Sequence, residues 1–347
     1  MASDNKPELS LKLHKQFGNG PVKVVCLHGF FGPEVFDKLY DRLAETVYSV
    51  YVFSIYGYMY AEYDSIEDET EREGASFRDN EAALERLKNC TFNRIAQDLF
   101  VQIDLLLRIE KFHLVTHNFG AAIAMKVIAL CPSRIMSIFF ISPCGIIPKA
   151  RDTVLTRTKR VQRIVENNDN EDDEIYDDEG NFIEKEVVYE DVELKLDIAL
   201  FPENVSKKVK NVTSHNLHVL WDNYMIKLIN IVERNCPASF VSARQKHHDK
   251  FVANHFLSQW MDSNLVSDAK DLQIRAKIIV SKDDPLSKIE ESEKLLSLFA
   301  KKKSVLGKYE PKCSKVIALE EASCGHLSPV TNIVEIEKLL LKHLPKK

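Results

Sequence analysis

The segment LVTHNFGA, residues 114–121, joins an apolar run, FHLVTH (112–117), to a helical pattern, AAIAMKVIAL (121–130). Continuous β-branched and aromatic character before the junction reads as a buried strand. The alanine-rich pattern after it reads as a helix. Little chain is left for the reversal, so the turn must be tight. Asn tolerates the left-handed backbone region better than most residues, which suits Asn118 to its centre. Gly120 and Ala121 are small enough to let strand and helix backbones approach on one side. Thr116 is bulkier on the other.

Working outward, strand-like runs and helical patterns alternate. VKVVCL (22–27) runs into HGFFG (28–32), and YSVYVFSI (48–55) follows the helical pattern EVFDKLYDRLAET (34–46). IMSIFFIS (135–142), AKIIVSK (276–282) and SKVIAL (314–319) continue the series, and TNIVEIEKLLLKHL (331–344) reads as a closing amphipathic helix. Apolar runs that alternate with helices predict an α/β protein with a mostly parallel sheet and helices on both faces. Two regions interrupt the pattern: a polar connection over 56–90, and 145–265, which holds helical patterns such as SHNLHVLWDNYMIKLINIVERN (214–235) and no obvious strand pair. The expected organisation is a core of 1–145 and 266–347 with a helical cap, 146–265, inserted between them.

The bulk composition narrows the function classes. Hydrophobic residues make up 45% and charged residues 29% of the 347, the balance of a soluble globular protein. Seven scattered cysteines without CxxC spacing argue against a disulfide framework or a structural zinc site, and for a reducing compartment. The N-terminus MASDNKPELS lacks the order of a signal peptide and no run approaches a membrane span, so the cytosol is expected. The net charge of −5 conceals a division: residues 166–193 hold fourteen acidic side chains and one lysine, leaving the rest at about +8. So acidic a run is expected to stay solvated and disordered, and a tethered arm competing for a basic surface is its sharper reading. No GxGxxG, Walker loop or basic-aromatic stripe occurs, so no nucleotide or nucleic-acid partner is expected. His247 and His248 in RQKHHDK (244–250) read as a solvated helix face; neither a metal nor a cofactor is expected.

Four turns, each after a strand-like run, together resemble the α/β-hydrolase fold. The turn at Asn118 resembles its nucleophile elbow, where the usual frame carries Gly at the place of Thr116 and Ser at the place of Asn118. HGFFG, with Gly29 and Gly32, resembles the oxyanion-hole turn, and implies donors at the backbone N–H groups of Phe30 and Phe119. SKDDPLS (281–287) resembles the acid loop, with Asp284 in register and Asp283 as its substitute, and SCGHLSP (323–329) the histidine loop, with His326. The order 118, 284, 326 is the chain order of that fold. SIYGYM (54–59) resembles a further loop of the same proteins. Locally, HNFGAAIAMKVIALCPSRIMSIFFISPCGIIPKARD (117–152) resembles the lipase co-activator branch of the α/β-hydrolase-domain proteins, which also includes active N-acyl-phospholipid hydrolases. The co-activator carries Asn at the nucleophile position, then Pro-Ser-Arg and a Pro-x-Gly turn, as at 132–134 and 143–145 here. The His-x4-Asp pattern of that branch is absent, because Thr331 stands five residues after His326.

A carboxamide oxygen has no proton to give and its nitrogen lone pair is delocalised, so Asn118 cannot begin acyl transfer as Ser does. The plain expectation is a pseudoenzyme that binds a hydrophobic acyl ligand or a lipase partner in lipid handling. A pocket lined by Phe30, Phe31, Phe119 and cap helices suits such a ligand. The cap pattern WDNYMIKLINIVERN is a candidate partner surface, and contact with a membrane surface belongs to the same reading. The alternatives are an active ester, lipid or peptide hydrolase whose Ser has been replaced, a protein in which deamidation of Asn118 restores the Asp nucleophile of related epoxide hydrolases and dehalogenases, and His326 acting as a base on water.

Overall fold

The computed structural model describes residues 9–44, 47–58, 81–144, 154–164, 187–197, 236–238, 256, 274–284, 286–287, 289–299, 315–319 and 325–344. A seven-stranded sheet organises most of them. Its strands are β1 (Leu11–Phe17), β2 (Val22–Leu27), β3 (Tyr48–Ile55), β4 (Phe112–His117), β5 (Ile135–Ile141), β8 (Arg275–Ser281) and β9 (Lys315–Leu319), in the order β1-β3-β2-β4-β5-β8-β9. β1 pairs antiparallel with β3, and all other pairs are parallel. The apolar runs become the central strands for a simple reason: every residue of β3 and β4 is buried, so neither face of these strands tolerates a polar alternation. β1 is the edge. LKLHKQF leaves most of its length partly or fully exposed, and its four polar side chains among seven residues hide it from a search for continuous apolar runs.

The longer described helices are α1 (Asp37–Ala44), α2 (Glu81–Asn89), α3 (Phe92–Val101), α4 (Gly120–Leu130), α5 (Ile289–Phe299) and α6 (Ile333–His343). α2 lies within the 56–90 span that reads as a polar connection; residues 59–80 of that span fall outside the described residues. α4 is buried along eight of its positions, because alanines let it lie close on the sheet. From β2 the chain passes to β3 on one side, then crosses to β4 on the other. The gap between the carboxyl ends of β2 and β4 is therefore a switch point, where open α/β sheets place their ligands. Leu27 pairs with Thr116 there; the HGFFG turn follows Leu27, and Asn118 follows His117, the last residue of β4.

The expected helical cap over 146–265 is corrected in two respects. The strands β6 (Val154–Ile164) and β7 (Val187–Asp197) pair antiparallel as a two-stranded sheet, where no strand pair was expected. Seven residues of the acidic run, 187–193, therefore stand in a strand rather than in a disordered insertion; 166–186 lie outside the described residues. β6 escapes the sequence because TRTKRVQR alternates basic with β-branched residues and carries no apolar run. The chain also divides differently from expectation, into one compact unit of Met1–Pro148 with Lys227–Lys347 and another of Lys149–Ile226. Phe256, placed in the cap by sequence, packs fully buried against Phe92 and Phe119 of the first unit. The helical patterns at 214–235 and the pair His247 and His248 lie outside the described residues.

Candidate active site

Asn118 has φ of 54°, the left-handed conformation that the tight turn requires. Its N–H donates to the Ile141 carbonyl at 3.2 Å, and its own carbonyl accepts from Ala121 and Cys144, each at 3.1 Å. The elbow is thus tied to the end of β5 and to the start of α4. Its neighbours are small because the backbones nearly touch. A Cβ on Gly120 would lie 2.4 Å from the Leu27 carbonyl oxygen, and one on Gly29 would lie 2.4 Å from Asn118 Cβ. Gly120→Ala is therefore expected to destabilise the protein by about 1–3 kcal/mol, read from urea denaturation; an unchanged midpoint would contradict the close approach. Gly32, with φ of 79°, turns the chain out of the HGFFG segment. The bulk of Thr116 is accommodated by turning it toward β5, where Oγ1 donates to the Phe139 carbonyl at 3.4 Å.

The three residues at 118, 284 and 326 meet. His326 Nδ1 lies 2.9 Å from Asp284 Oδ1 and 3.0 Å from Oδ2, and His326 Nε2 lies 2.8 Å from Asn118 Nδ2. The Phe30 N–H donates to Asn118 Oδ1 at 3.1 Å. These contacts determine one another. A backbone N–H can only donate, so the atom facing it is the carboxamide oxygen. The NH2 group then faces His326, whose Nε2 must be an unprotonated acceptor, which leaves Nδ1–H to donate to Asp284. Asp284, not Asp283, is the partner of His326. Asp283 instead accepts from the Gly325 N–H at 2.9 Å and from the Ser281 hydroxyl, and so binds the acid loop to the histidine loop.

The electrostatics follow from burial. Desolvation by itself pushes the Asp284 carboxyl up, but the neighbouring His326 imidazole and its hydrogen bond, with the Ser287 N–H, outweigh it and hold the carboxyl below its ordinary value. Leu286 and Ser287 donate to Asp284 Oδ1 at 2.8 and 2.9 Å. Two further histidines, not singled out from the sequence, build the frame. His117 donates from Nε2 to the His326 carbonyl at 2.9 Å; burial, with His326 beside it, lowers its pKa to about 3. His28 donates from Nδ1 to the Gly29 carbonyl and accepts at Nε2 from the Ile55 N–H, which holds the HGFFG turn to β3; burial lowers its pKa to about 3 as well. Both are neutral spacers. The sequence hints at them only by their adjacency to Gly29 and Asn118.

Aromatic rings close the site. Phe31 stands 5.8 Å from the His326 ring, centroid to centroid. On the other side Phe119 stacks on Phe256 at 5.1 Å, and Phe92 and Tyr58 complete the cluster. Asn118 is 4% exposed and His326 0%. The Phe119 N–H, the second expected oxyanion donor, has no hydrogen-bond acceptor among the described residues. Among the described residues no group of three His, Cys, Asp or Glu side chains is placed to hold a metal ion, and no helix is long and apolar enough to cross a membrane.

An elbow, an oxyanion turn and an acid–histidine pair at the carboxyl ends of parallel strands define a hydrolase-type scaffold. The chain belongs to the alpha/beta hydrolase fold family, whose sequence profile matches residues 23–322. No curated protein matches it by sequence. Solved structures share the fold at low identity. A hydrolase from Oleispira antarctica is 15% identical with a TM-score of 0.55, covering 94% of this chain and 92% of its own. The enol-lactonase from Burkholderia xenovorans is 12% identical, also at 0.55, covering 96% of each chain. A bromoperoxidase from Bacillus anthracis is 16% identical at 0.55, covering 95% and 94%.

Proposed function

We propose that this chain is a pseudoenzyme of the α/β hydrolase fold family, a protein that binds a hydrophobic acyl ligand or a lipase partner in lipid handling. The observation that carries the reading is the bridge made by Asn118. Its oxygen takes the Phe30 N–H and its NH2 group takes the lone pair of His326 Nε2. One carboxamide thereby occupies both the oxyanion donor and the base. This speaks against His326 activating water for attack on a bound ester while the carboxamide stays in place, since its accepting nitrogen is then engaged. The local likeness of 117–152 to the lipase co-activator branch, which also carries Asn here, supports the same reading. Hydrolysis of short and medium acyl p-nitrophenyl esters by the protein and by Asn118→Ser tests it. Turnover by the Asn118 form that disappears in His326→Ala would sink it.

The second reading, an active hydrolase in which Asn118 stands for a replaced Ser, is favoured by one feature: the Asp284–His326 pair is in the tautomer that a Ser nucleophile needs. Contact with an anionic lipid surface, held in check by the acidic run, is part of the proposed role. Deleting 166–186, which spares β7, is expected to strengthen co-sedimentation with anionic vesicles. Equal binding by both forms would remove the acidic run from the account.

A further inference from the structure

The carboxamide of Asn118 lies in its own site as an amide substrate would. Its carbonyl oxygen is held by the Phe30 N–H at 3.1 Å, the interaction that stabilises negative charge on a carbonyl oxygen under attack. Its nitrogen, the leaving group of an amide hydrolysis, is 2.8 Å from His326 Nε2, and the opposite nitrogen of that imidazole is held by a buried carboxylate. The N–H of the next residue, Phe119, has no hydrogen-bond acceptor among the described residues.

We propose that the site slowly hydrolyses Asn118 itself, turning it into Asp, with water as the co-reactant. Water displaces the carboxamide NH2 from the His326 lone pair and adds through its oxygen to Cγ, while its proton passes to His326 Nε2. The carbonyl electron pair moves onto Oδ1, held by the Phe30 N–H. The pair then returns, the Cγ–Nδ2 bond breaks, and His326 gives its proton to the departing nitrogen. Ammonia leaves and takes the proton of the new acid, so carboxamide and water become carboxylate and ammonium. Oxidation states do not change, and His326 ends as it began. The product places a carboxylate against His326, where the carboxamide could only donate a hydrogen bond. The inference rests on the bridge described above and goes beyond the binding role, because it assigns the machinery a reaction that the plugged site can still perform.

This route is distinguishable from ordinary deamidation, in which the following backbone nitrogen attacks and a cyclic imide opens to a mixture of Asp and isoaspartate. Trypsin releases residues 112–126, bounded by Lys111 and Lys126, with Asn118 inside. The full chain, incubated folded at neutral pH, is expected to show this peptide heavier by about 1 Da, or about 3 Da in H2(18)O. Sequencing should find Asp without isoaspartate. His326→Ala is expected to slow the conversion by about 10²-fold or more, and the wild-type chain unfolded in urea supplies the comparison if that variant does not fold. No conversion, an isoaspartate product, or equal rates in the folded and unfolded chains would each overturn the proposal. The ester assay on Asn118→Ser reads the proposed function independently of this mass shift.

Discussion

Asn118→Ser is expected to raise p-nitrophenyl ester hydrolysis by on the order of 10³-fold or more, since a missing nucleophile in such sites removes most of the catalytic rate. Three changes come with the one substitution. The hydroxyl supplies a proton that His326 Nε2 can accept as the Cγ-free side chain attacks. The Phe30 N–H, now bonded to Asn118 Oδ1, is released to hold the substrate oxyanion. The His326 lone pair is released from the NH2 group while Asp284 keeps the ring in the required tautomer. The backbone should tolerate the change, because Ser142, at the end of the neighbouring strand, already holds φ of 46°. Asn118→Ala is the control: it frees the same donor and the same base but adds no nucleophile, so it should stay close to the Asn118 form. Combining Asn118→Ser with His326→Ala should return activity to the starting level. If Ser and Ala variants behave alike, the assembled geometry does not amount to a latent acyl-transfer site.

Acid should destabilise the fold well before its carboxylates protonate. His28 and His117 are fully buried with pKa values lowered to about 3, and His113 is lowered to about 4, all chiefly by burial. In the unfolded chain each returns to about 6.5. Below that value the unfolded state binds protons that the folded state refuses, so stability falls as pH falls. Each such histidine contributes up to about 1.4 kcal/mol per pH unit, and the three together about 4 kcal/mol per unit, between roughly pH 6 and 4. Against a typical stability of about 5–15 kcal/mol, unfolding near pH 5 is the expected outcome. Asp284 acts later and in its own window. Its folded pKa lies below the ordinary value, so its contribution is present above the unfolded carboxylate range and is lost only as pH falls through the folded value. Urea titrations at pH 7.5, 6 and 5 read the slope. Replacing His113, which hydrogen-bonds the Ser137 hydroxyl, with Gln should remove close to a third of it. Stability that is level from pH 7.5 to 5 would mean that these rings are not buried neutral.

Much of this architecture is written locally. The runs at 22–27, 48–55 and 112–117 are strands because a strand buried on both faces needs uninterrupted apolar residues, and these three form with the bounds read from the sequence. The elbow is legible because only small residues allow β4 and α4 to cross beside β2, a demand that Gly120 meets. Elements that satisfy their partners with mixed residues stay hidden. β1 needs only one buried face at the sheet edge, and the β6–β7 hairpin shows a basic strand beside an acidic one, so neither announces itself as an apolar run.

By itself, then, the sequence pointed, through its alternating runs and the resemblance of its turns to the family, to the α/β-hydrolase architecture, to positions 118 and 326 with an acid at 283 or 284, and to a side chain at 118 that cannot attack as Ser does, since each depends on residue type and short-range order. Only the tertiary structure decided that Asp284 rather than Asp283 faces His326, that Phe256 stacks on Phe119, and that the carboxamide bridges Phe30 and His326. The hydrogen bonds among those contacts join residues 42, 88 and 208 positions apart. Such partners are brought together by the order of strands in the sheet, and a hydrogen bond chooses its atoms only after the backbones that carry them have met.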